Sequence, residues 1–159
     1  LALSCALIHK PSVLLLDEPT TGIDAVSRSE LWDMLATLKN HGITIVVSTP
    51  YMDEACRCDR IALCNEGRLL GIDTPKGIVA GFNQPLYPIK ADNMFALLGA
   101  ARCAEGVADC YPFGEYHHLV ADHSFVADRF LRELNAIGGL EIAPAEPTIE
   151  DMFIKLMKR

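Results

Sequence analysis

Val13-Leu14-Leu15-Leu16-Asp17-Glu18-Pro19-Thr20-Thr21-Gly22-Ile23-Asp24 is the stretch whose reading decides the fold. A short, unbroken aliphatic run without polar alternation predicts a strand covered on both faces, as in a parallel sheet. Parallel α/β sheets bind ligands at the carboxyl ends of their strands, and this strand delivers two adjacent carboxylates there. One carboxylate can hold Mg²⁺, a hard ion that takes oxygen ligands directly or through water. The next can polarise a water for attack on phosphorus. Two uncompensated carboxylates at a strand end are costly, so a cation beside them is expected.

Working outward, Asp24 is placed to cap a helix over 25–40, with Leu31, Met34, Leu35 and Leu38 at helical spacing and Trp32 adding bulk. His41-Gly42 ends that helix. Residues 43–47 read as a second buried strand rich in β-branched residues. Ser48 or Thr49 is expected to cap a further helix, with Pro50 in its first turn and Met52, Asp53, Glu54 and Ala55 following. Residues 60–64 and 68–72 read as a hairpin around Asn65-Glu66-Gly67, and Thr74-Pro75 opens a short helix to residue 80. Upstream, residues 1–8 read as the end of a buried helix stopped at His9-Lys10-Pro11.

Gly81, Asn83, Gln84, Pro85 and Pro88 mark a boundary. Beyond it, strands over 86–90, 107–111, 117–121 and 140–143 and helices over 93–101 and 125–137 follow the order βαββαβ. That order predicts a small ferredoxin-like sandwich. Thr148 caps a last helix carrying Ile149, Met152, Phe153 and Leu156.

Composition bounds the functional classes. The chain has 159 residues, half of them hydrophobic, which suits one medium or two small globular domains. The formal net charge of -7 disfavours nucleic acid as a partner. No apolar run approaches the ~20 residues that span a bilayer, so a membrane role must pass through a partner. Residues 1–10 carry no basic leader or long apolar block of a signal peptide. The six cysteines lack zinc-ligand spacing and read as reduced, mostly buried thiols of a cytosolic protein. His117, His118 and His123 have no acidic or cysteine partner at helical spacing that would complete a metal site.

The aliphatic-Asp-Glu-Pro-Thr string with its later Gly22 and Asp24 resembles the Walker B motif and D-loop of ABC-type ATPases. The likeness continues through residues 46–55, Cys58-Asp59-Arg60-Ile61-Ala62-Leu63, Glu66-Gly67-Arg68 and Asp73-Thr74-Pro75. Residues 1–10 look like the helix after the family's signature motif. Residues 146–154, Glu-Pro-Thr-Ile-Glu-Asp-Met-Phe-Ile, resemble the closing motif of ATPase subunits paired with ABC-2-type exporters.

This resemblance implies the C-terminal part of a P-loop NTPase parallel sheet with helices over 1–82. A small α+β ferredoxin-like accessory domain would follow over 86–159. It implies an ATP-binding and ATP-hydrolysing subunit with ATP and Mg²⁺ as cofactors. Asp17 would organise Mg²⁺, Glu18 would be the catalytic base, and Asp24 would communicate with a second ATP-binding subunit. Membrane-spanning permease subunits would be the other partners, with the protein cytoplasmic and peripheral on the inner face of the cell membrane. The rival expectations are a non-enzymatic docking or regulatory module of a transporter complex, and a soluble ABC-type ATPase acting in translation or DNA repair.

Two departures from the family pattern matter. No GxxxxGK(S/T) phosphate loop, Q-loop or signature motif occurs in these residues. That loop supplies most phosphate affinity, so the chain alone is expected to bind ATP weakly or not at all. Pro50 also occupies the position of the family's γ-phosphate-binding histidine. Either Pro50 merely starts a helix while another group substitutes, or the site hydrolyses less well. One lost contact to the transition state costs about 2–4 kcal/mol.

Overall fold

The computed structural model describes residues 2–158. The chain divides into two compact units, Leu1–Leu63 with Ile72–Pro75, and Cys64–Gly71 with Lys76–Arg159.

In the first unit, α1 (Ala2–Leu7) precedes β1 (Val13–Asp17), α2 (Ala25–Asn40), β2 (Thr44–Ser48) and α3 (Met52–Ala55). β1 and β2 are parallel, running in register from Val13 opposite Thr44 to Asp17 opposite Ser48. Two strands in this orientation need a crossover, and α2 supplies it. Leu14, Trp32 and Leu35 form the buried centre, with Leu3, Leu7, Leu16, Leu31, Leu38, Ile43, Ile45 and Val47 packed around them. Met34, expected on this apolar stripe, is 41% exposed. Trp32 and Leu35, three residues apart, define the inward face instead.

Covering on both faces is not what β1 and β2 show. Leu14 is buried, but Leu15 is 74% exposed, and Val13 and Val46 are more than half exposed. Strand side chains alternate, and the core of Leu14, Trp32 and Leu35 occupies one face only. Similarly, α1 turns Leu3 and Leu7 inward while Cys5 and Ala6 face outward.

β3 (Ile61–Asn65) and β4 (Arg68–Asp73) pair as a separate two-stranded sheet. Glu66 and Gly67 between them both have positive φ, 48° and 73°, the backbone that a tight hairpin turn demands. α4 (Pro75–Ala80) follows.

The rest of the second unit comprises β5 (Leu86–Lys90), α5 (Met94–Cys103), β6 (Val107–Phe113), β7 (Tyr116–Ala121), α6 (Ala127–Glu133), β8 (Glu141–Ile142) and α7 (Ile149–Met157). Its sheet order is β6-β7-β5-β8, with every neighbouring pair antiparallel. This is the ferredoxin-like arrangement that the element order predicts. The expected helix over 125–137 is shorter, with α6 followed by a 3₁₀ turn over Asn135–Ile137.

β7 is buried along residues 117–121 because both its faces are covered. Ile89, Leu97, Cys110, Leu119, Ala121 and Phe130 make the core on one face. On the other, Tyr111 and His118 hydrogen-bond the Asp151 carboxylate of α7. His117 and His118 are adjacent in sequence yet diverge. His117 Nε2 lies 2.8 Å from the Met94 carbonyl, whereas His118 Nδ1 lies 2.6 Å from Asp151 Oδ1.

The cysteines are not mostly buried. Cys5, Cys56, Cys64 and Cys103 are exposed, Cys58 is intermediate and Cys110 is buried. On β3 the alternation that sends Ile61 and Leu63 inward sends Cys64 out. Burial pushes the Cys110 thiol up to about 11, which keeps it protonated and unreactive. Among the described residues, no helix is long and apolar enough to cross a membrane.

Candidate functional site

The end of β1 and the end of β2 meet in one small polar cluster. Asp17 and Ser48 are the last registered pair, at the carboxyl edge of the parallel strands. The Ser48 hydroxyl donates to Asp17 Oδ1. The Glu18 backbone N–H donates to Ser48 Oγ at 3.0 Å and to the Ser48 carbonyl at 3.1 Å. One serine therefore fixes both members of the acidic pair.

Glu18 has φ 44°, a left-handed conformation that costs a non-glycine residue about 1–2 kcal/mol. The hydrogen bonds to Ser48 hold it there. Backbone outliers of this kind concentrate at functional sites. The Glu18 carboxylate accepts from the Thr21 hydroxyl at 3.1 Å, and Asp17 and Glu18 are both exposed.

The chain then turns through Gly22, whose φ of 79° suits a residue without Cβ, into α2. Asp24 caps that helix as its sequence position predicts. Its Oδ1 accepts from the N–H groups of Val26 and Ser27, both at 3.0 Å, and its Oδ2 accepts from the Ser27 hydroxyl at 2.6 Å. Hydrogen bonds from Ser27, ahead of the remaining contacts, hold this carboxyl below its ordinary range.

Pro50 is exposed and lies outside the following helix. α3 begins at Met52, with Tyr51 as its N-cap residue and no side-chain cap. The expected cap by Ser48 or Thr49 does not form, because both hydroxyls are engaged elsewhere. Ser48 serves Asp17 and Glu18. Thr49 Oγ1 donates to Glu54 Oε2 at 2.6 Å and accepts the Tyr51 N–H at 3.1 Å.

Sequence reasoning missed the most connected residue nearby. Glu54 is 1% exposed. Its Oε2 also accepts from the Thr20 hydroxyl at 3.1 Å, and its Oε1 accepts from Arg28 Nε at 2.6 Å. Arg28 reaches Asp53 as well, at 2.6 Å, and lies 4.4 Å above the Tyr51 ring. Burial alone would raise the Glu54 carboxyl. The hydrogen bonds from Thr49, Thr20 and Arg28 outweigh it and hold the group below its ordinary range. In the sequence, Glu54 looks like Asp53, an acid in the first turn of a short helix. Only partners 26 and 34 residues away distinguish it. A pocket of about 250 Å³ adjoins this carboxylate, lined by Arg28, Ser29, Trp32, Asp53, Glu54 and Arg57. It does not include Asp17 or Glu18.

No protein-family model matches the chain. It is 45% identical to the probable multidrug ABC transporter ATP-binding protein YbhF of Escherichia coli (strain K12), across 99% of this chain and 27% of that protein. It is 31% identical to the daunorubicin resistance ATP-binding protein DrrA2 of Streptomyces coeruleorubidus, over 98% of this chain and 51% of the relative. The Nod factor export ATP-binding protein I of Sinorhizobium fredii is 30% identical over 100% of this chain and 46% of its own length. The chain thus spans between 27% and 51% of the length of these relatives. Over nearly every residue of this chain, then, the likeness is to ABC transporter ATP-binding proteins.

Proposed function

We propose that the whole protein hydrolyses Mg-ATP to drive an ABC transporter and that this chain supplies the hydrolytic carboxylates. One observation carries the reading. The acidic pair Asp17 and Glu18 sits at the carboxyl edge of the parallel strands β1 and β2, held by Ser48. In this reading Asp17 binds Mg²⁺, and Glu18 accepts the proton of the attacking water. Asp24 faces a second ATP-binding subunit, and Pro50 occupies the place of the γ-phosphate-binding histidine. Residues 1–82 act as the later part of the ATPase domain and 86–159 as an accessory domain.

The donor set suits the metal. Mg²⁺ takes one or two carboxylates and otherwise keeps water and phosphate oxygens. Among the described residues no cluster of three His, Cys, Asp or Glu side chains competes with that pair. When bound, Mg²⁺ would neutralise charge developing on the phosphoryl oxygens. The chain's own part is to orient: Ser48 fixes Asp17, and Thr21 holds the Glu18 carboxylate.

The exposed side chains of Val13, Leu15 and Val46 support covering of this second sheet face by further polypeptide of the whole protein, since parallel strands are ordinarily covered on both faces. Membrane-spanning permease subunits are the proposed transport partners, with the ATPase peripheral on the inner face of the membrane and no nucleic acid involved. The relatives' names, which speak of multidrug transport, daunorubicin resistance and Nod factor export, support an exporter. They also disfavour a purely non-enzymatic docking module. Asp17→Asn in the whole protein tests the assignment. The Mg²⁺ concentration for half-maximal turnover should rise at least tenfold, and an unaltered Mg²⁺ titration would contradict it.

A further inference from the structure

We infer that Glu54 is a positioning residue that sets the two strand-end loops against each other. The inference rests on the nucleotide-hydrolysis reading and goes beyond it. Thr20 belongs to the turn that follows Asp17 and Glu18 at the end of β1. Thr49 belongs to the loop that follows Ser48 at the end of β2, immediately before Pro50. Both hydroxyls donate to the same oxygen, Glu54 Oε2, at 3.1 and 2.6 Å. The other oxygen accepts from Arg28 of α2 at 2.6 Å, so the carboxylate cannot swing between the loops.

Thr20 and Glu54 are 2% and 1% exposed, and both oxygens already have partners within the protein. Such a carboxylate has little capacity left for a ligand and is well placed to hold its neighbours, because it is itself out of solvent and its bond to Thr20 is buried. The consequence for chemistry follows from the chain path. Thr20 lies two residues from Glu18, and Thr49 lies next to Ser48, which holds Asp17 and Glu18. If either threonine is released, the strand-end loops lose their common anchor and the acidic pair loses its fixed relation to Pro50 and the loop beyond β2. Small displacements of a positioned group cost rate more than affinity, since phosphate binding by the whole protein is expected to lie elsewhere.

The test uses the whole protein with Glu54→Gln, Thr20→Val and Thr49→Val. The valine variants remove a hydroxyl while nearly preserving shape. Melting temperature, Mg-ATP affinity by titration, and the kcat and KM of hydrolysis are measured below each variant's melting transition. The expected result is a kcat lowered at least tenfold in each variant, with KM changed less than threefold. Glu54→Asp should not restore kcat, because it keeps the charge but shortens the reach. Folded valine variants with unchanged kcat would overturn the positioning role even if Glu54→Gln fails to fold, and would leave the nucleotide reading intact. Failure of the unmodified protein to hydrolyse ATP would instead remove the nucleotide reading on which the inference rests.

Discussion

Replacing Asp151 by alanine should destabilise the second unit severely. Asp151 is fully buried at the start of α7. Its Oδ1 accepts from Tyr111 Oη at 2.8 Å and lies 2.6 Å from His118 Nδ1. Its Oδ2 accepts from the Thr148 N–H and hydroxyl, both at 2.7 Å, closing a capping box. Alanine would strand several buried polar groups at once and remove the cap. Breaking a buried, hydrogen-bonded charged site of this kind costs about 3–5 kcal/mol, and a cap alone about 1 kcal/mol. Taking about 3 kcal/mol, the melting temperature should fall by roughly 10 °C, read by circular dichroism at neutral pH.

Asparagine should cost less, because its carbonyl can still serve Thr148 while the Tyr111 hydroxyl turns to accept. The pH dependence has a definite sign. Burial would raise the Asp151 carboxyl, but the bonds from His118, Thr148 and Tyr111 outweigh it and hold the group below its ordinary range. The contribution is therefore fully present above the unfolded value near 4 and fades as pH falls through the lower, folded value. A folded Asp151→Ala protein melting within 2 °C of the parent at pH 7 would refute this reasoning.

Pro50→His in the whole protein should raise turnover if the missing side-chain donor limits hydrolysis, since one transition-state contact is worth about 2–4 kcal/mol; an unchanged rate would mean that another group already fills the role. The 159-residue chain by itself should show no saturable Mg-ATP binding at micromolar concentrations by isothermal titration, because it contains no GxxxxGK(S/T) loop. Micromolar binding would show that these residues hold the phosphates unaided.

The strand–helix–strand unit and its acidic pair were readable in the sequence because they rest on local signals. An aliphatic run, Asp24 followed by a helical stripe, and a β-branched run each predict an element without reference to the rest of the chain. The observed α2 coincides with the expected span of 25–40. The βαββαβ order likewise leads to the ferredoxin-like sheet, since short connections leave few alternative topologies.

What was not readable depends on partners far apart in sequence. Glu54 and Asp151 look like ordinary first-turn acids, and only Thr20, Arg28, Tyr111 and His118 turn them into buried hubs. Thr49 has good cap chemistry, yet Glu54 takes its hydroxyl, so α3 starts at Met52 without a side-chain cap. The left-handed Glu18 was equally hidden, because nothing in Asp-Glu-Pro-Thr requires a positive φ until Ser48 accepts its N–H.

Hydrolysis by the whole protein carrying Glu18→Gln, measured beside its Mg-ATP affinity, probes the assignment of the acidic pair most directly. Loss of a positioned general base lowers turnover by about 10²–10⁴-fold. The expected result is a loss of that size with nucleotide still bound, and turnover at the parent's rate would contradict the placement of the reaction at the end of β1.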